Sequence, residues 1–367
     1  MFAALCAMYP DADIFTAVYD EQGTEGRFAH RPIKTSVLQR LRPTARTFRP
    51  LLPLYPYAME AMDLSGYELV VSSSSAWAHG VIVDERAVHV CYCHNPFRYA
   101  WNARETALAG RGPLGRAALS AVLSRWRQWD WIAAQRVDRY VANSYTTQRR
   151  VSRYFNREAS VVYPPVDVQR FAPGPVGDYY LVLSELMPHK RIAMAVEAFN
   201  QLGWPLVIAG NGPDARRLQR LAGPTVRLEG RVSDSRAAEL LSGARALVVT
   251  ATEEFGIAAV EAQAAGRPVV ALSEGGVRET VIEHETGAFF ATPDVAALVA
   301  TLRDFDPQSI DPGACVRNAS RFDVSRFAAG ISAVVDEAVR DERPRDERLR
   351  GSRRARGLTS RRAPSRR

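Results

Sequence analysis

"TATEEFGIAAVEAQAAGRPVVAL" occupies residues 250–272. Its two acids, Glu253 and Glu261, stand eight positions apart around a run of small and apolar residues that reads as a helix. The stretch "RALVVTA" (245–251) before it reads as a strand, and "RPVVAL" (267–272) after Gly266 reads as another. Strand, loop, helix and strand at these lengths form a crossover unit, so the two strands are expected to be parallel. The helix then starts near Ile257, at the carboxyl end of its strand, where free N–H groups attract anions, phosphate above all. Gly256 lets the backbone come close to such a ligand. Glu253 in the loop and Glu261 about one turn into the helix can address different parts of one bound molecule. By itself the spacing also suits a surface acid at Glu261 and a helix cap at Glu253.

The alternation extends along the chain. Before the opening stretch, "YYLVLSEL" (179–186), "PLVIAG" (205–210) and "TVRLEG" (225–230) read as strands. Between them, 191–202, 213–222 and 235–244 read as helices. In the first half, 67–74, 87–94 and 139–144 read as strands, with a long helical pattern over 113–137. "SVVYPPVDVQRF" (160–171) runs a strand into Pro164-Pro165, and two prolines stop regular structure. The expected fold is α/β, with two Rossmann-like domains of parallel sheet facing a cleft. They cover 1–165 and 166–322, and a C-terminal helix over 323–339 crosses back to the first. Ligands of such sheets sit outside the carboxyl ends of the strands.

Bulk composition narrows the function. The 367 residues are 47% hydrophobic and 24% charged, enough for two full cores. The sequence has no apolar run long enough for a transmembrane helix and no secretory signal. The four cysteines suggest no disulfide framework, and Cys91 and Cys93 lack a second Cys/His pair for a zinc site. These features suit a cytoplasmic protein. The net charge of +8 lies in residues 340–367, which hold 12 Arg against 4 acids. That segment is expected to be a disordered Arg-rich tail.

Five motifs follow in order: "SELMPHKR", "AGNGP", "LEGRVSD", "EEFGIAAVE" and "EGGVRET". Together they resemble the retaining glycosyltransferases of family 4, which have the GT-B fold. The resemblance runs from residue 1 to about 339. "DADIFTAVYD", "YCHNPFRYAW" and "LVLSELMPHKRIAMAVEAFN" look like the mannosyltransferase branch of surface-polysaccharide assembly. The resemblance implies a catalytic set of Lys190 on the donor diphosphate, Glu253 on the donor sugar, and His94 facing that sugar from the N-terminal domain, with Arg98 nearby on the acceptor side. It implies that Arg231 and Val232 hold the base, that Phe255, Gly256 and Ile257 lie under the phosphates, and that Glu261 binds the ribose. Gly210, Gly212, Gly275 and Gly276 are placed at the donor site. The family's arginine five residues before the lysine is Glu185 here, which puts the diphosphate clamp in doubt, although Arg191 is close. Glu279 reads either as part of this site or as a helix-start acid.

Leaving-group charge can be stabilised by a lysine and helix N–H groups, so no cofactor and no obligatory metal are expected. "DAD" at 11–13 reads as structural. The implied reaction moves a sugar, mannose from GDP-mannose in the branch it resembles, to a glycan or lipid-linked glycan acceptor. Residues 30–59 carry Arg31, Lys34, Arg40, Arg42, Arg46 and Arg49 among apolar residues. With the Arg tail, they suggest peripheral docking on the anionic inner face of the plasma membrane. No specific nucleic-acid partner is expected. Two other readings compete. Gly210, Gly212 and Ala215 with Glu229 resemble a dinucleotide fingerprint of an NAD-dependent enzyme, though not on the first strand of its domain. The chain also begins inside what looks like the first helix, so the N-terminal domain is expected to lack its first strand. That leaves room for a truncated, inactive nucleotide-sugar-binding homologue.

Overall fold

The computed structural model of this protein describes residues 1–44 and 47–358, without the side chains at 49 and 342–358. The chain divides into two compact units. One comprises Asn143–Thr146 and Val162–Ala328, with Met1; the other comprises Phe2–Ala142, Thr147–Val161 and the chain from Ala329.

The first of these units is built on six strands: β7 (Tyr180–Leu183), β8 (Leu206–Ala209), β9 (Val226–Gly230), β10 (Leu247–Val249), β11 (Val269–Leu272) and β12 (Gly287–Phe290). Every pairing is parallel, in the order β12-β11-β10-β7-β8-β9. Val, Ile and Leu fill both faces, as a sheet covered on both sides requires. Tyr180, Val182 and Ile208 pack on one side with Phe199 and Leu298. Leu181, Val207 and Ala271 pack on the other with Val260 and Phe322. The chain enters at β7, builds outward to β9, then returns to the far side of β7 as β10. That reversal makes the carboxyl ends of β7 and β10 the switch point, where open parallel sheets leave a crevice for ligands.

The other unit has a four-stranded parallel sheet of β3 (Leu69–Ser74), β4 (Val88–Cys93), β5 (Arg139–Ala142) and β6 (Ala159–Val161), paired in that order. All six residues of β4 are buried. A separate parallel pair, β1 (Ile14–Thr16) with β2 (Ile33–Thr35), completes it. Between β1 and β3 lies a cavity of about 1020 Å³, lined by Ile14–Ala17 and Leu69–Ser73 among others.

The parallel α/β architecture is thus as expected, but the chain's end differs. The last helix runs Val324–Leu358. Residues 340–358 therefore have helical backbone where composition suggested disorder. The remaining tail, 359–367, lies outside the described residues.

Candidate functional site

At the switch point the chain leaves β7 through Ser184 and Glu185 and turns at Pro188–Lys190 into the helix Ile192–Leu202. Arg191 makes that turn in the left-handed region, with φ 52°. The loop after β10 carries Thr250 to Gly256. Thr250 Oγ1 donates to the Lys190 carbonyl at 2.7 Å, tying the two loops together. Across this tie, Lys190 Nζ donates to both Glu253 carboxylate oxygens, at 2.7 and 2.8 Å. The lysine and the carboxylate are only about a fifth exposed, so the pair is screened less than one in open water. Two sequence-predicted residues 63 positions apart are thereby in direct contact.

The glycines explain how the loops come so close. Gly275 has φ +76°, and a Cβ there would lie 2.2 Å from the Glu253 carbonyl oxygen. The Gly276 N–H donates to that same oxygen at 2.7 Å. Glu253 is thus held by its backbone from the β11 side and by its side chain from the β7 side. Gly210 and Gly212 act likewise one strand over, where added Cβ atoms would meet the Ser184 and Leu186 carbonyl oxygens at 1.8 and 2.4 Å.

Gly256, at φ +95°, opens the helix Ile257–Ala264. Its N-terminal N–H groups follow directly on the loop that holds Glu253. Ile257 is exposed, whereas Phe255 is buried and packs its ring against Tyr163 and Phe322, 5.5 and 5.4 Å away. Phe255 can therefore meet a ligand through its backbone only. Glu261 faces Arg170, whose Nη2 lies 3.3 Å from its carboxylate, while Nη1 lies 3.2 Å from Asp234. Burial pushes the Glu261 carboxyl up to about 7; Arg170 opposes that shift and Asp234 adds to it. Arg231 and Val232 follow Gly230 at the end of β9, Arg231 exposed and Val232 packed partly into the core. Glu185 and Arg191 are both exposed. Glu279 accepts from the Tyr145 and Thr146 N–H groups at 2.8 and 3.0 Å, so it caps the helix Tyr145–Phe155.

In the other unit, His94 follows β4, and its Nε2 lies 3.1 Å from Ser73 Oγ. The Arg98 carbonyl accepts from Trp101 and Ala103. Two neighbouring serines hold two further histidines: Ser72 Oγ is 2.8 Å from His89 Nε2, and Ser74 Oγ is 3.2 Å from His79 Nδ1. His79 in turn meets the fully buried Asp130 at 3.3 Å, and Trp101 donates to Asp130 at 2.7 Å. Burial raises Asp130 to about 7 and lowers His79 to about 4, so each group favours its neutral form.

The basic segment 30–59 is less available than its sequence suggests. Arg31 donates to four carbonyls, of Cys6, Tyr9, Pro10 and Ala12, and so closes the end of the first helix, Phe2–Met8. Lys34 pairs with Asp13 at 2.8 Å and Tyr67 at 2.9 Å. Arg40 and Arg42 are exposed beside Val37 and Leu41. Arg46 and the Arg49 side chain lie outside the described residues. Among the described residues no helix is long and apolar enough to cross a membrane, and no three His, Cys, Asp or Glu side chains are grouped to hold a metal ion.

The sequence reading missed Arg170 and Asp234 as partners of Glu261. Arg170 sits in the quoted linker stretch, but nothing local ties it to a residue 91 positions on. The histidine ladder was also missed, because a run of serines in a strand gives no sign of what lies beside it.

A lysine, a carboxylate and a helix N-terminus at the switch point of a parallel sheet define a Rossmann-like site for a phosphorylated ligand. Known proteins carry the assignment further. Residues 169–321 match the family model Glycosyl transferases group 1, and residues 4–170 match Glycosyltransferase Family 4. The chain is 28% identical over 293 residues to a GDP-mannose-dependent alpha-(1-6)-phosphatidylinositol monomannoside mannosyltransferase of Mycolicibacterium smegmatis, covering 66% of this chain and 76% of that protein. It is 30% identical over 204 residues to a D-inositol 3-phosphate glycosyltransferase of Streptomyces avermitilis, covering 46% of this chain and 44% of that protein. The fold is similar to that of HepE of Anabaena in complex with UDP, with a TM-score of 0.64, 17% identity, and 91% and 96% of the two chains covered. The chain is a glycosyltransferase of the family 4 type with the GT-B fold, a class that transfers sugar from a nucleotide donor.

Proposed function

We propose that the chain is a retaining, metal-independent hexosyltransferase that moves mannose from GDP-mannose to a glycan or lipid-linked glycan in cell-surface polysaccharide assembly. The Lys190–Glu253 pair at the switch point carries this reading. A donor diphosphate arriving at the helix Ile257–Ala264 competes with Glu253 for the Lys190 ammonium. The lysine and the helix N–H groups then stabilise the negative charge that builds on the departing diphosphate. Glu253, released from the lysine, accepts hydrogen bonds from the sugar hydroxyls, and Glu261 accepts from the ribose. The mannosyltransferase relative uses GDP-mannose and the HepE structure holds UDP, so the base is the first thing to test. Calorimetric titration with GDP, UDP and GDP-mannose should show binding of one nucleotide series, lost in Glu261→Ala. A folded protein that binds none of them refutes the reading.

The cavity between β1 and β3 supports a second reading, a homologue that binds donor without transferring it. Donor binding with neither hydrolysis nor transfer to any acceptor fraction would select it. Docking on an anionic membrane surface rests on exposed Arg40 and Arg42 beside Val37 and Leu41. Co-sedimentation with phosphatidylserine vesicles, unchanged by Arg40→Glu with Arg42→Glu, would dismiss this surface.

A further inference from the structure

Arg170 ends the short turn Val168–Arg170 that follows the Pro164-Pro165 linker, and its guanidinium bridges two carboxylates. Its Cζ also lies over the neighbouring Phe171 ring, 4.7 Å from the centroid. Glu261, the carboxylate it meets at 3.3 Å, has a side chain only 19% exposed. An ionised carboxylate accepts from a pair of vicinal hydroxyls through both of its oxygens, whereas a protonated carboxyl presents a donor on one of them.

We propose that Arg170 is the positioning residue of the donor site, holding Glu261 as the charged acceptor of two vicinal hydroxyls of the donor ribose. The inference rests on the donor-site reading given above. Asp234, on the other side of the guanidinium, sets how much of Arg170's charge Glu261 receives. These two are the charged groups that act on Glu261. Among the other charged residues on elements packed against its helix, Arg236 pairs with Glu229 and Glu239, Arg317 with Asp311, Arg267 with the Ser242 and Gly174 carbonyls, and Glu279 with the N–H groups of Tyr145 and Thr146, while Arg278 is exposed.

The carboxyl already stands near 7 with Arg170 present, so removing the guanidinium moves its titration upward. An opposite charge at this range is worth about one unit or more. A midpoint raised from about 7 by about one unit leaves roughly a tenth of Glu261 ionised at neutral pH where half was before, about a five-fold loss of affinity. That loss is regained as pH rises.

The test uses the full chain. Carboxyl-carbon NMR of the ligand-free protein, with Glu261 assigned through Glu261→Gln, gives its titration midpoint in wild type, Arg170→Gln, Arg170→Lys and Asp234→Asn. Calorimetry with GDP-mannose and UDP-glucose, whose diphosphate esters keep a fixed charge from about pH 6 to about 8.5, gives affinity against pH for the same proteins. The expected result is a midpoint raised in Arg170→Gln, lowered in Asp234→Asn and mostly restored in Arg170→Lys, with affinity following the ionised fraction. An unmoved midpoint, or an Arg170→Gln loss of equal size at every pH, overturns the proposal. A wild type that binds neither sugar nucleotide at any pH, while its midpoint still responds to Arg170, fails the donor-site reading and with it the role assigned to the diol.

Discussion

Gly276→Ala separates the packing of the 253–255 loop from backbone conformation. Gly276 has φ −71° and ψ −17°, ordinary right-handed values that alanine adopts without cost. All of the expected effect is steric. The new Cβ would stand 2.2 Å from the Glu254 carbonyl oxygen and 2.4 Å from Phe255 Cα, both backbone atoms. Carbon contacts relax only at about 3.5 Å, so the 253–255 loop has to withdraw by roughly 1 Å. Overpacking of this kind costs about 1–3 kcal/mol. In a unit of this size each kcal/mol lowers Tm by about 2–4 °C, which predicts a fall of roughly 2–12 °C. The loop that moves carries Glu253, whose carboxylate meets Lys190 at 2.7 and 2.8 Å. A displacement near 1 Å at a reacting group costs on the order of a hundredfold in rate, and donor affinity should fall at least ten-fold if Lys190 and Glu253 both touch the donor.

Differential scanning fluorimetry and calorimetry on the same protein measure the two effects. Gly203→Ala is the control: it sits at φ +67°, with nothing within 4 Å of its added Cβ. It should cost about 1 kcal/mol through backbone conformation alone and leave donor binding unchanged. The reasoning is refuted if Gly276→Ala binds donor like wild type, or if both glycine variants lose affinity together.

On the proposed donor reading, Lys190→Met should lower donor affinity by roughly ten- to a hundred-fold through loss of a charged hydrogen bond to the diphosphate; Lys190→Arg should recover part of it in the same titration. Asp130→Asn should gain stability relative to wild type as pH rises. The folded-state carboxyl stands near 7 against an ordinary 3.8, so wild type loses stability as pH rises through that window and the amide does not. His79, lowered to about 4, works in the opposite direction as pH falls and is present in both proteins. Tm measured at about pH 5 and about pH 8 gives the difference, and a flat or reversed one would mean that Asp130 is ionised and paired with His79.

The parallel architecture was legible because β7, β8 and β11 are short continuous apolar runs bounded by Gly, Pro or charged residues, a pattern only a sheet covered on both faces tolerates. β1 and β2 were not legible. Each is three residues long and mostly unburied, so neither carries a period. Phe255 shows the limit from the other direction. Its place between a strand end and a helix start was correctly a loop, yet its ring belongs to a core completed by Tyr163 and Phe322, one far upstream and one far downstream.

The same physics explains why half of the candidate site was easier to foresee than the other half. Strand ends, helix starts and glycines are local, so a switch point and the loop bearing Glu253 follow from patterns of two and of 3.6 residues. A charged side chain's partner is not local. Glu253 is paired with Lys190 and Glu261 with Arg170, and in each case the chain must complete several strands before the two meet. The carboxylate's position can therefore be read from the sequence, whereas the cation it faces is known only once the chain has folded.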